Sequence, residues 1–272
     1  MPEEQPPALH CFAHAGAGVS SFHSWPAHLG PGVPVVPHLL PGRDGRRREP
    51  RLTDRRGLLD ELMDGFRAPA GPYVLYGHSL GALVALTLTL ALREAGLPGP
   101  ALLAVGACPP PDVLSDLSAE LHGARHDDER LVRALSAFGA VPPDARPGGL
   151  WHRMVLPVLR DDLLLADALR TAALAPSPAG LPDVPVLAVA GADDPLAAPA
   201  AMAGWTRWTT GPVVTRTVPG DHFFVRGPAL PRLLGRACRV LRRTGTVPAA
   251  PAAQAAQAAP AALAVPAAGA RP

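Results

Sequence analysis

Tyr73-Val74-Leu75-Tyr76-Gly77-His78-Ser79-Leu80-Gly81-Ala82-Leu83-Val84 is the stretch that decides the fold. Four apolar residues of strand length run into Gly-x-Ser-x-Gly, and the chain then stays apolar through Leu92 until Gly96 and Pro98 stop it. A strand, a sharp turn and a buried helix in that order hold a serine hydroxyl out at the carboxyl edge of a parallel sheet. The two glycines allow strand and helix to approach closely around that serine. His78 lies inside the turn and is expected to fix it.

Similar apolar runs recur on both sides: Leu9 to Ala13, Val33 to Val36, Leu102 to Ala107, Val186 to Ala190 and Val213 to Val218. Each has strand length, and the stretches between them can hold helices, the alternation of a mostly parallel sheet covered on both faces. The fold class is therefore α/β. Between Ala107 and Val186 the strand signal disappears, and two helical stretches are predicted, Ser118 to Phe138 and Leu150 to Leu174. A helical insertion of this length, about residues 108–185, reads as a lid over whatever the sheet presents. From 244 to 272 Ala, Pro, Gly and Gln dominate, so a disordered tail is expected and the domain boundary is placed near Arg243, giving a catalytic domain over 1–243.

Composition narrows the function. The chain has 272 residues, 48% hydrophobic and 18% charged, with a formal net charge of +2. So small a net charge lacks the long-range field of a nucleic-acid binder, although all 25 basic residues are arginine. The start, MPEEQPPALH, carries acids and prolines where a secretory signal needs a basic segment and an apolar run, so a cytoplasmic location is expected. The uncharged run from Tyr73 to Leu92 is broken by the turn and is too short for a membrane span. Cys11, Cys108 and Cys238 are odd in number and form no CxxC pattern, so they read as reduced, small core residues rather than as a disulfide framework or a metal site.

A serine hydroxyl needs a general base, and the base needs an acid that fixes its tautomer. With a serine in this setting, the acid and then the histidine follow it along the chain. Downstream, Val186 to Ala190 runs into Gly191-Ala192-Asp193-Asp194-Pro195, so the acid is Asp194 or Asp193. Asp194 is preferred because the turn begun by Gly191 spends one polar residue on itself. Val213 to Val218 leads into Pro219-Gly220-Asp221-His222-Phe223-Phe224, and His222 is the only histidine after Asp194. Donors for a developing oxyanion are expected from the Leu80 amide and from the small-residue loop His14-Ala15-Gly16-Ala17-Gly18, which has neither of the usual phosphate-loop spacings.

Taken together, Cys11-Phe12-Ala13-His14-Ala15-Gly16-Ala17-Gly18, Trp25, Leu40-Pro41-Gly42-Arg43 with Arg46 and Glu49-Pro50, the Gly-His-Ser-Leu-Gly-Ala turn, Trp205, Trp208 and the ending at Phe224 resemble the type II thioesterases. These are stand-alone α/β-hydrolases that accompany polyketide synthases and non-ribosomal peptide synthetases. The resemblance runs from about Leu9 to Arg243. It implies an α/β-hydrolase fold, Ser79 as nucleophile, Asp194 as acid, His222 as base, and the amides of Ala15 and Leu80 as the oxyanion hole. It implies hydrolysis of acyl or aminoacyl thioesters on the phosphopantetheine arm of an acyl or peptidyl carrier protein, without cofactor or metal, by a protein expected to act as a monomer. Two positions depart from the family pattern: Ala13 stands where Pro is usual, and Asp221 where Gly is usual. Arg43, Arg46, Arg47, Arg48, Arg51, Arg55 and Arg56 form a basic cluster that either docks an acidic carrier or is simply a solvated face. A small-molecule carboxylesterase or lipase of the same fold, and a non-catalytic interaction subunit, are the competing readings.

Overall fold

The computed structural model describes residues 6–67, 69, 71–176 and 182–244. Six strands form one sheet: β1 (Ala8–Phe12), β2 (Val35–His38), β3 (Tyr73–His78), β4 (Leu102–Gly106), β5 (Val186–Gly191) and β6 (Val213–Val218). Their order is β2-β1-β3-β4-β5-β6, and every neighbouring pair is parallel. The helices are α1 (Pro26–Leu29), α2 (Arg55–Gly65), α3 (Leu80–Glu94), α4 (Asp116–Ala124), α5 (Asp128–Ser136), α6 (Leu150–Met154), α7 (Leu156–Leu174), α8 (Pro199–Met202) and α9 (Ala229–Thr244).

Both faces of the sheet are buried, and the strand period of two divides its side chains between two cores. Phe12, Leu75, Leu103, Val105 and Ala188 face α2, α3 and α7, whereas Leu9, Cys11, Val74, Tyr76, Ala104 and Val189 face Trp25, α1 and α9. Helix α3 is apolar nearly all round because it lies between the sheet and α7, a helix with no solvent face. Helix α9 instead buries one stripe, Leu230, Leu234, Cys238 and Leu241, at helical spacing. All three cysteines are free and buried, and burial pushes the Cys108 thiol up to about 11 and that of Cys238 to about 12.

The register explains where function can sit. Phe12 pairs with Gly77, His78 with Gly106, Gly106 with Val189, and Gly191 with Val218. The carboxyl ends of five strands are thus level, and the loops that follow β1, β3, β5 and β6 open onto one edge. Among the described residues no strand lies between β4 and β5; α4 to α7 fill that interval and build a third core from Leu121, Leu131, Leu135, Leu156 and Leu159.

Several expectations need correction. The stretch predicted as one helix from Ser118 to Phe138 is two, because Asp127 caps a new start by accepting from the Arg130 amide at 3.0 Å. Leu150 to Leu174 also divides, at Val155, since Pro157 has no amide to continue the ladder. The helix start expected at the end of the basic cluster is α2, capped by Asp54 on the Gly57 amide at 2.9 Å, whereas helix α9 has no counterpart among the expected elements. Val33, Pro34 and Ala13 lie outside the strands. The tail expected over 244–272 lies, apart from Thr244, outside the described residues. Among the described residues no helix is long and apolar enough to cross a membrane.

Candidate active site

Ser79 stands between β3 and α3 with φ 54° and ψ −117°, a conformation that a residue with a side chain rarely adopts. The surroundings hold it there. Its amide donates to the Gly106 carbonyl at 2.8 Å and its carbonyl accepts from the Ala82 amide at 2.9 Å. The flanking glycines are obligatory for packing. A Cβ on Gly77 would stand 2.0 Å from the Gly81 carbonyl oxygen, and one on Gly81 would stand 2.1 Å from that of Phe12. So the strained turn is formed by strand, helix and neighbouring strand closing on one another.

Asp194 and His222 come from the loops after β5 and β6. The Asp194 carboxylate is buried, and its Oδ1 accepts the Leu196 and Ala197 amides at 2.9 and 3.1 Å. Both its oxygens lie 3.0 Å from His222 Nδ1. A carboxylate only accepts, so Nδ1 carries the proton and Nε2 presents its lone pair. That Nε2 is 3.1 Å from Ser79 Oγ. Of the two acids left open by the sequence, Asp194 reaches the imidazole; Asp193 is exposed and touches the base loop through its backbone, donating to the Gly220 carbonyl at 3.0 Å. Asp221 is turned to its own turn, where its Oδ1 accepts the Phe223 amide at 2.8 Å.

His78, fully buried, ties the serine turn to the base loop. Its Nε2 donates to the His222 carbonyl at 2.7 Å, so its Nδ1 is free to accept from the Tyr76 hydroxyl, also at 2.7 Å. Burial holds its pKa well below the usual histidine value, with His14, His222 and Arg226 acting in the same sense. It is a neutral strut rather than a second base.

The two amides expected to serve an oxyanion are placed by backbone geometry. Leu80 is the first residue of α3, so its amide has no preceding helical turn to bond. In the loop after β1, the Ala17 amide donates to the His14 carbonyl at 3.1 Å, closing a tight turn. The Ala15 N–H belongs to the same peptide unit as that carbonyl and points the opposite way. The arrangement of a serine, an imidazole with a free lone pair, a buried carboxylate and unspent amides is that of an acyl-transfer site.

The sequence matches the thioesterase domain family over residues 7–238. The chain belongs to the thioesterase family. Its likenesses include a probable cadicidin biosynthesis thioesterase of Streptomyces griseus, 33% identical over 219 residues, an alignment covering 80% of this chain but only 58% of that relative. The thioesterase RedJ from the prodiginine biosynthetic pathway of Streptomyces coelicolor is 34% identical, with a TM-score of 0.71 and coverage of 88% of this chain and 94% of the other. The type II thioesterase BorB from the borrelidin biosynthetic cluster is 30% identical, with a TM-score of 0.68 and coverage of 88% and 92%. The fold is accordingly the α/β-hydrolase fold of these thioesterases.

Beside Ser79 and His222 the thioesterase has a cavity of about 90 Å³, walled by Leu80 and Leu83 of α3, Leu121 of α4, Leu163 of α7 and Leu196 of the loop after β5. His122, Asp167 and Arg170 also line it; His122 Nδ1 is hydrogen-bonded to the Asp167 carboxylate, and Arg170 donates to the carbonyls of Pro111 and Val113. Phe138, just after α5, sets its ring 5.5 Å from that of His222. Two of the resemblance tryptophans brace the site from below: Trp25 donates to the Val225 carbonyl at 3.1 Å and Trp205 to that of Cys108 at 2.9 Å.

The basic cluster is not the uniform patch its sequence suggests. Arg43 is buried and bonded bidentately to Asp162 of α7, Arg46 pairs with Glu49 and Glu61, Arg51 with Asp161, and Arg55 with Glu94. Arg43 is therefore removed from any docking surface. Asp162 was missed in the sequence, where it stands beside Asp161 in a helix with no visible partner.

Proposed function

We propose that this thioesterase hydrolyses acyl or aminoacyl thioesters from the phosphopantetheine arm of an acyl or peptidyl carrier protein, editing a polyketide or non-ribosomal peptide assembly line. The observation that carries the reading is the chain of contacts from Ser79 Oγ through His222 to the buried Asp194 carboxylate. Ser79 Oγ attacks the thioester carbonyl while His222 Nε2 takes its proton, and the Leu80 and Ala15 amides receive the negative charge that develops on oxygen. Collapse of that intermediate breaks the carbon–sulfur bond, and the imidazolium gives its proton to the departing thiolate, which leaves as the thiol. Water, deprotonated by the same His222, then attacks the acyl-serine; the free acid leaves and Ser79 regains its proton. Asp194 keeps the imidazole in the correct tautomer and stabilises its cation.

The cavity limits the acyl group. Its leucine walls, beside the serine, suit a short apolar acyl chain. The polar residues of its lining tolerate a substituent such as an amino group. Catalysis is assigned to residues 1–243, acting as a cytoplasmic monomer. Ser79→Ala is expected to fold normally, to lose nearly all hydrolysis and to escape labelling by a fluorophosphonate that labels the parent. Turnover of short-chain acyl carrier protein thioesters should exceed that of free nitrophenyl esters in kcat/KM; the reverse preference points to a carboxylesterase, and labelling of a different serine removes Ser79 from its role.

A further inference from the structure

A buried ion pair joins the lid to the loop that carries the Ala15 amide. Asp162, fully buried in α7, accepts the Gly16 amide on Oδ2 at 2.7 Å. Arg43 holds the same carboxylate in a fork, Nη1 to Oδ2 at 2.9 Å and Nη2 to Oδ1 at 2.6 Å, and its Nη1 also donates to the Ala17 carbonyl at 3.1 Å. One carboxylate and one guanidinium thus grip a donor and an acceptor of the turn that begins at His14. One helical turn before Asp162, Leu159 packs so closely on Gly16 that a Cβ there would lie 2.7 Å from its Cδ2, and Gly16 has φ +75°.

We propose that Asp162, held by Arg43, is a positioning residue for the oxyanion hole, and that through it the seating of lid helix α7 sets the direction of the Ala15 N–H. The inference rests on the acyl-transfer reading above. The physical path is short. Fixing the Gly16 N–H fixes the plane of the Ala15–Gly16 peptide, and the bond from the Ala17 amide to the His14 carbonyl fixes the plane on the other side of Ala15. Between two fixed planes the Ala15 backbone has no remaining freedom, so its amide is aimed before substrate arrives. Packing alone does not require charge at this point. The neighbours of Asp162 along α7, Leu159 and Leu165, are buried apolar residues, and a hydrophobic pair of similar volume is commonly as stable as a buried ion pair.

That last point supplies the test. The double variant Arg43→Met/Asp162→Leu removes both charges together and leaves neither unpaired. It is expected to fold with a near-parental melting temperature and to lose about 10²-fold in kcat, the scale of one mispositioned oxyanion donor. The same loss should appear with an acyl carrier protein thioester and with nitrophenyl acetate. KM and the affinity for a non-hydrolysable thioether should stay within about threefold, while the inhibition constant of an alkyl boronic acid, which becomes tetrahedral on the serine, should rise in step with the fall in kcat. Arg43→Lys keeps the charge without the fork, is expected to show a smaller loss of the same kind, and decides the matter if the double variant does not fold. A folded variant with kcat within threefold of the parent overturns the proposal, as does a loss confined to KM or a boronate affinity that does not follow kcat. A parent that hydrolyses neither substrate overturns the functional reading instead.

Discussion

Acidification is the perturbation for which two histidines, His14 buried and His38 half-buried, give a number. His14, 8% exposed, is lowered to about 3 by burial, with His222 and Arg226 adding to the effect. His38 is lowered to about 4 by burial and by the neighbouring His10. In the unfolded chain both return to about 6.5. Below that value the unfolded state binds more protons than the native one, so stability is fully present above 6.5 and falls as the pH drops toward the folded values. At pH 5 the buried His14 costs about 2 kcal/mol, and the half-buried His38 adds a smaller cost because solvent screens it. His10 and His78, both lowered chiefly by burial, act in the same direction. Asp162, raised by burial, acts in the opposite one, because the native carboxyl takes up its proton before the unfolded carboxyl does. The lowered carboxyls of Glu49 and Asp112 lose their contribution only as the pH falls below their ordinary values of 4.5 and 3.8. A domain of this size has about 5–15 kcal/mol in total, so the expected loss is a large part of it. Urea unfolding followed by fluorescence of the buried Trp25 and Trp205, run from pH 7.5 to pH 5, measures it directly. A stability that changes by less than about 1 kcal/mol across that range, or that rises on acidification, refutes the assignment of His14 as neutral and buried.

Three other outcomes are expected. Asp194→Asn should lower kcat by about 10³ to 10⁴-fold by offering the imidazole N–H the wrong partner, whereas Asp193→Asn should stay within about threefold in steady-state assays. Gly81→Ala should destabilise by about 4 kcal/mol or fail to fold in denaturant titrations, since its Cβ meets backbone; Gly65→Ala, with nothing within 4 Å, should stabilise by about 0.5 kcal/mol. A chain ending at Thr244 should keep the melting temperature and turnover of the full chain, because the Ala- and Pro-rich composition beyond it cannot build a core.

The parts of the fold that could be read in the sequence are those with local signatures. Strand runs, the serine turn and the order serine, acid, histidine all depend on residues close in the chain or on a fixed succession, and Ser79, Asp194 and His222 do meet in space. What escaped reading depends on distant partners. Arg43 reads as one member of a basic run because its carboxylate lies 119 residues away, and His78 reads as a turn residue because the carbonyl it holds lies 144 residues away. The helix breaks at Arg125–Asp127 and Val155 had local signals, the Asp127 cap and Pro157, which continuous helical content obscured.

The strand order has a consequence for synthesis. Chains grow from the amino end, and the sheet is extended outward from β1 and β3, with β6 added last at one edge. His222 follows β6, and α9, which follows His222, returns to pack against α1 near the start of the chain. With His222 as the proposed base, a nascent chain carries Ser79 143 residues ahead of it, and hydrolysis is expected only once nearly all of residues 6–244 have emerged. The site is thus complete only when β6, at the edge of the sheet, and α9, packed on α1, are both in place.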